Sequence, residues 1–250
     1  MPLVGTRNLS DLAAAAPVVA TFDAERLELP GARILQLMYE IDDDAMVSLL
    51  PPSLHPTIPP TLVFTVTHVP ESPFGAFTMA EVRVGSRSGA RPRGFLAQGF
   101  CDSADAVEAL RAGWGYPLAQ ANVSLQKRYD RIHAEAHSGG HKVLDMSLMN
   151  PEPISGNDLQ YLASLNLARV VRDGSEQTRL IQADPDYVFR SADRGQPQLD
   201  AFDAAAFKVA GATTNHAVSA SYAVADITMP NIRYLVDPEK PPMASVERVG

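Results

Sequence analysis

The stretch RIHAEAHSGGHKVLDMSL, residues 131–148, reads as two strands folded back on each other. His133, Glu135 and His137 alternate with Ile132, Ala134 and Ala136, the period of two that a half-buried strand imposes. Ser138-Gly139-Gly140 supplies residues suited to a tight turn, and a second β-rich run follows. The flanking chain repeats the theme. RILQLMYEID, TLVFTVTHV, AFTMAEVRVG, GFLAQGFC and VSLQKRYDRIHAEAH are strand-like, as are QTRLIQADPDYVF and two pieces of SASYAVADITMPNIRYLVDP. Helices are few. DDAMVSLLPPSL starts on acidic residues and stops at Pro51-Pro52, and SADAVEALRAGWG starts on a Ser cap and stops at Gly113. DLAAAAPVVATFD is a short helix or arm. Consecutive hairpins with few helices predict an α+β fold, mainly antiparallel β, arranged as a sheet or closed barrel.

Nothing divides the chain. Its 250 residues carry no internal repeat or low-complexity linker, so residues 1–250 are expected to form a single domain. With 46% hydrophobic and 20% charged residues the composition is that of a soluble globular protein. A net charge of −8 argues against nucleic-acid and anionic-membrane partners, which need a basic surface. The one basic stretch, Arg83, Arg87, Arg91 and Arg93, reads as a solvated loop. No apolar run has the length of a membrane span, and the N-terminal residues lack the apolar core of a signal peptide. The single cysteine, Cys101, fits a reducing cytoplasm.

Six pieces of the chain together resemble the acetoacetate decarboxylase superfamily: MYEIDDDAMVSLLPPSL, FGAFTMAE, FCDSADAVEALRAGWGYPLAQ, IHAEAHSGGHKVLDMSLM, LNLARVVRDGSEQTRLIQ and SASYAVADITMPNIRYLVDP. They occur in the family's order. The resemblance implies a double-layered, cone-like antiparallel β-barrel with flanking helices, a mostly apolar internal cavity and a homo-oligomer; no cofactor is expected. It also implies a signature of Gly-Arg-Glu, three residues, an aromatic, Pro and two lysines. Here the equivalent stretch is LRAGWGYPLA. Arg111, Tyr116 and Pro117 match, but Leu118 stands where the Schiff-base lysine belongs and Ala119 where its neighbour belongs. In acetoacetate decarboxylase that lysine is activated by desolvation and an adjacent cation, and a leucine has no amine to activate. Met79 falls at the position of a family acid, Ala32 at that of a family arginine, and Thr65 near that of a second glutamate. Glu81 lies two residues beyond Met79, hence on the same strand face.

These substitutions imply a pocket retuned from polar to apolar and an enzyme without imine chemistry: a cyclase, isomerase or dehydratase-type catalyst for a hydrophobic, polyketide-like or oxo-acid-derived substrate. Glu81, Arg111 and Tyr116 are its candidate catalytic residues; Leu118, Met79, Trp114, Phe77, Thr65 and Ala119 are the candidate substrate contacts. A lysine-independent β-keto acid decarboxylase and a non-catalytic small-molecule-binding protein are the alternatives. The remaining lysines, Lys127, Lys142, Lys208 and Lys240, read as solvated. His133, Glu135 and His137 read as a polar strand face rather than a metal site, and His216 as a structural histidine. There is no Gly-X-Ser-X-Gly elbow and no phosphate-binding glycine motif.

Overall fold

The computed structural model describes residues 3–88, 91–172 and 174–249. Its strands are β1 (Val18–Val19), β2 (Leu27–Ile41), β3 (His55–Pro56), β4 (Thr61–Val69), β5 (Phe77–Ser88), β6 (Arg91–Cys101), β7 (Leu118–Gln120) and β8 (Asn122–Lys127). There follow β9 (Arg131–Ser138), β10 (His141–Ile154), β11 (Ala163–Arg172), β12 (Ser175–Ala183), β13 (Asp186–Phe202), β14 (Thr214–Met229), β15 (Tyr234–Val236) and β16 (Val246–Arg248). The helices are α1 (Ser10–Ala13), α2 (Asp43–Leu49) and α3 (Ala104–Trp114). The strands pair into one sheet along the path β16-β15-β12-β11-β6-β5-β4-β2-β14-β13-β10-β9-β8, with β1 on β11, β3 on β5 and β7 on β6. Pairing is antiparallel except at β11–β6, β1–β11 and β6–β7. The sheet curls until its β8 end packs over β4, β5 and β6.

The hairpin of residues 131–148 forms as its sequence predicts. Lys142 lies opposite His137 and Ser147 opposite His133, and Gly139 and Gly140 take φ of 58° and 80°. VSLQKRYDRIHAEAH breaks into β8 and β9 at residues 128–130. The helix from SADAVEALRAGWG runs past Gly113 and ends at Gly115, which adopts the left-handed conformation. A Cβ at Gly115 would sit 2.5 Å from Ile181 Cδ1, so both backbone and space demand glycine there.

Curling buries both faces of the central strands. On one face Leu35, Leu37, Phe64, Val66, Val82 and Val84 join a large core with Phe100, Phe202 and Phe207 around it. On the other, Ile34, Met79, Leu96, Leu118 and Ile227 join a second core beneath α3. Two buried faces explain why β4 and the first ten residues of β5 are almost wholly buried rather than alternately exposed.

One sequence expectation fails here. The basic stretch is not a solvated loop: Arg83 and Arg93 are buried on β5 and β6, because those strands continue through it. Residues 89 and 90, within the same GSRSGARPRG stretch, lie outside the described residues.

Candidate functional site

The second face carries a row of residues set by register alone. Gln36 on β2 pairs with Thr65 on β4, Thr65 with Glu81 on β5, Glu81 with Gly99 on β6, and Gly99 with Leu118 on β7. A parallel row holds Ile34, Thr67 and Met79. Between Glu81 and Arg83 the partner strand β6 has one extra residue, a bulge at Ala97–Gln98. Gln98 uses it to donate from Nε2 to the carbonyls of Gly99 and Pro117, at 2.8 and 2.9 Å.

This bulge anchors the turn GWGYPLAQ. The Gly99 N–H donates to the Pro117 carbonyl at 2.9 Å, Asn166 Nδ2 to the Trp114 carbonyl at 3.0 Å, and Trp114 Nε1 to the Pro230 carbonyl at 2.8 Å. Arg111 Nη1 donates to the Leu118 carbonyl at 2.9 Å. The turn is thereby fixed from every side, and it delivers Tyr116 and Leu118 to the second core. Leu118 fills the space a Gly99 side chain would take: a Cβ there would meet Leu118 Cδ2 at 2.9 Å and Glu81 Cγ at 3.5 Å.

A cavity of about 30 Å³ opens on this face. Gln36, Thr65, Thr67, Glu81, Arg83, Tyr116, Tyr161 and Tyr187 supply its polar wall. Leu29, Ile34, Met79, Pro185, Ile227 and Met229 supply its apolar wall. At its centre Arg83 Nη2 donates to Glu81 Oε2 at 2.6 Å, both side chains being almost wholly buried. Among the described residues, five atoms of the lining have no hydrogen-bond partner: Gln36 Oε1, Thr65 Oγ1, Glu81 Oε1, Arg83 Nε and Tyr161 hydroxyl. Buried polar groups are nearly always satisfied, so five orphans around one small space mark a place shaped for a polar guest.

The electrostatics follow from burial. Desolvation pushes the Glu81 carboxyl above its ordinary range, and the Arg83 charge and hydrogen bond oppose the rise only in part. Arg83 stays charged, burial opposing its charge and Glu81 sustaining it. Desolvation also pushes the Tyr116 hydroxyl upward, and that of Tyr187 to about 12, so both remain neutral donors near pH 7. Tyr161, a half-buried part of the lining, packs edge-on against Tyr187 and Phe189, with ring centroids 5.2 and 5.7 Å apart.

Of the nine residues singled out from sequence, Glu81, Tyr116, Met79 and Thr65 line this cavity. Leu118 flanks Glu81 from the neighbouring strand. Phe77 and Trp114 are buried in the second core away from the lining, and half-buried Ala119 packs on the first core. Arg111 also lies off the lining, its guanidinium committed to the turn. The Glu81–Arg83 pair and the three tyrosines set a polar wall against the apolar one, more polar groups than Glu81 and Tyr116 alone. The sequence reading places Arg83 in a solvated loop rather than at the site, and it passes over Gln36, Tyr161 and Tyr187. Arg83 had a usable signal, since the two-residue step from Met79 to Glu81 reaches it next.

None of the four lysines lines the cavity. Lys127 Nζ lies 2.7 Å from Asp193, Lys142 bonds Asp145, Lys240 lies 3.1 Å from Glu247, and Lys208 is exposed in a turn. The histidines also stay outside it. His133 Nε2 lies 2.8 Å from Asp145 Oδ1, His137 lies 3.7 Å from Glu135, and His216 is exposed on β14. His133, Glu135 and Asp145 are close enough to share an ion, but Lys142 Nζ already contacts both carboxylates. Among the described residues no helix is long and apolar enough to cross a membrane.

Comparison with known proteins agrees with this architecture. A sequence model of the family described as acetoacetate decarboxylase matches residues 15–238. No curated protein matches the sequence. The chain is similar in structure to acetoacetate decarboxylase from Legionella pneumophila, with 21% identity, 84% of this chain and 86% of that one covered, and a TM-score of 0.74. It is similar to the enduracididine biosynthesis enzyme MppR complexed with pyruvate, with 14% identity, 83% and 88% covered, and a TM-score of 0.66. It is also similar to an acetoacetate decarboxylase-like enzyme from Sphingomonas wittichii RW1, with 13% identity, 84% and 92% covered, and a TM-score of 0.68.

Proposed function

The chain belongs to the acetoacetate decarboxylase family, and on that premise we propose that it is an enzyme that moves protons on a small oxo acid without forming an imine. The observation that carries this reading is Glu81: wholly buried, its Oε2 held by Arg83, its Oε1 without a partner at a cavity that no lysine lines. Leu118, beside it, adds hydrocarbon where the family resemblance places the nucleophile.

Each step follows from the groups present. Arg83 Nε, unpaired and charged, receives one oxygen of the substrate carboxylate. Glu81 Oε1 takes the proton from the carbon next to the substrate carbonyl. Its raised pKa makes it a stronger base than an exposed carboxylate, matched to this transfer. As the C–H electron pair moves into the new C=C bond, the carbonyl oxygen becomes an enolate. Tyr116 and Tyr187, neutral donors on the same wall, stabilise that oxygen. Glu81 returns the proton to carbon for isomerisation, or to a departing hydroxyl for dehydration. MppR is described in complex with pyruvate, which supports an oxo acid as the guest class. The cavity of about 30 Å³ is close to the size of one or two waters, so even a three-carbon acid requires the lining side chains to move apart. This favours the oxo acid over a polyketide. A lysine-free decarboxylase would leave the carboxylate in apolar surroundings, whereas this cavity offers it a guanidinium. The homo-oligomer implied by the resemblance belongs to the same proposal.

The test is solvent exchange. Wild-type protein in deuterated buffer is expected to exchange the C3 protons of pyruvate or 2-oxobutanoate, followed by proton NMR. Glu81→Gln should slow this by about 100-fold or more, the usual worth of a positioned base, and Lys127→Ala should not. Undiminished exchange in Glu81→Gln would remove the proposed base.

A further inference from the structure

A second concave site lies on the far side of the inner cavity's wall. It is an open pocket of about 490 Å³, and its lining includes Arg91, Arg93 and Arg233 with Asp184, Asp186 and Asn231. Three guanidiniums against two carboxylates make it locally positive on a chain of net charge −8.

Arg93 is the built part of the site. Its side chain is only 9% exposed. Nη1 donates to the Pro92 carbonyl at 3.0 Å and Nη2 to Asp184 Oδ2 at 3.1 Å, while among the described residues Nε has no partner. Asp184 Oδ2 is shared with Gln182 Nε2, and its buried Oδ1 is also without a partner. Arg91 and Arg233 are exposed, and neither is ion-paired among the described residues. A buried cation with an idle donor, flanked by two further forks, is an arrangement complementary to a two- or three-oxygen anion.

The two sites share a wall one chain thick. Pro185 and Tyr187 face the inner cavity, and Asp184 and Asp186 face the outer pocket. Met229 lies inside and Pro230 outside. We propose that the outer pocket binds a small oxyanion, carried as a carboxylate or a phosphate group, at a site separate from the inner cavity. Arg91, Arg93 and Arg233 hold the anion, while Asp186 and the Asn231 amide accept from hydroxyls on the molecule that bears it. Free phosphate and a phosphorylated or carboxylated metabolite share this recognition chemistry.

Calorimetric titration of the full chain with inorganic phosphate, glycerol 3-phosphate and succinate, at constant ionic strength, tests it. At least one of the three should bind saturably with unit stoichiometry; the tightest identifies the source of the anion. Arg91→Ala and Arg233→Ala, both at exposed positions, should each weaken that binding by about tenfold, the scale of one charge-assisted contact. Glu81→Gln should leave it unchanged. The proposal is overturned if none of the anions binds saturably, if the arginine variants bind as wild type does, or if Glu81→Gln abolishes binding. The last result would move the anion to the inner cavity, so failure here is distinguishable from failure of the proton-transfer reading.

Discussion

The two faces of strands β2, β4 and β5 are equally buried and opposite in character. On one face Leu35, Leu37, Phe64, Val66, Val82 and Val84 join one hydrophobic cluster, Phe64 packing edge-on against Tyr39 and Phe202. On the other, one residue away along each strand, Gln36, Thr65, Glu81 and Arg83 leave polar atoms without partners. The first face gains stability from each group it buries. The second bears a desolvation cost for each unpaired group, a cost that bound ligand would offset. Burial alone therefore does not separate scaffold from site; satisfaction of the buried groups does.

Substitutions on the two faces should break this comparison cleanly. Phe64→Ala is expected to cost about 3–5 kcal/mol in denaturant unfolding, through lost burial and a cavity. Arg83→Met should cost about the same at neutral pH, because it strands the Glu81 charge. The two losses differ in their pH dependence. The folded-state pKa of Glu81 is raised, so the folded protein holds that proton more tightly than the unfolded chain. Its contribution is most favourable below the unfolded value and is lost as pH rises through the folded one. Arg83→Met removes the cation that restrains the rise, so its stability should recover toward about pH 4, whereas that of Phe64→Ala should not. Thermal midpoints across this range decide it, with Glu81→Gln flattening the wild-type slope. The smallest effect is expected at Thr65→Val. Removing an unpaired hydroxyl of similar shape should raise stability by up to about 1 kcal/mol, and a loss of that size would mean the hydroxyl is satisfied.

Much of the fold was legible because its signals are local. The turn at Ser138-Gly139-Gly140, the Ser103 cap and the strand period each depend on a few adjacent residues, and the structure reproduces them. The site was legible along single strands and through the family resemblance, which supplied Tyr116 and Thr65. The period of two placed Glu81 beside Met79, yet Arg83, the next residue on that face, was grouped by composition with Arg87, Arg91 and Arg93. Tyr161 and Tyr187 come from a loop and a strand far away in sequence, and no local pattern announces that they converge. Arg111 matched a family signature, but a signature does not say which way a side chain turns; here it turns to the Leu118 carbonyl.

The proposed chemistry at this site proceeds without an imine. The most direct measurement incubates the wild-type protein with pyruvate or acetoacetate and sodium borohydride, then weighs the intact chain by mass spectrometry. With Leu118 beside Glu81 and all four lysines outside the cavity, the mass should remain unchanged. A reduced adduct mapping to Lys127, Lys142, Lys208 or Lys240 would contradict the account.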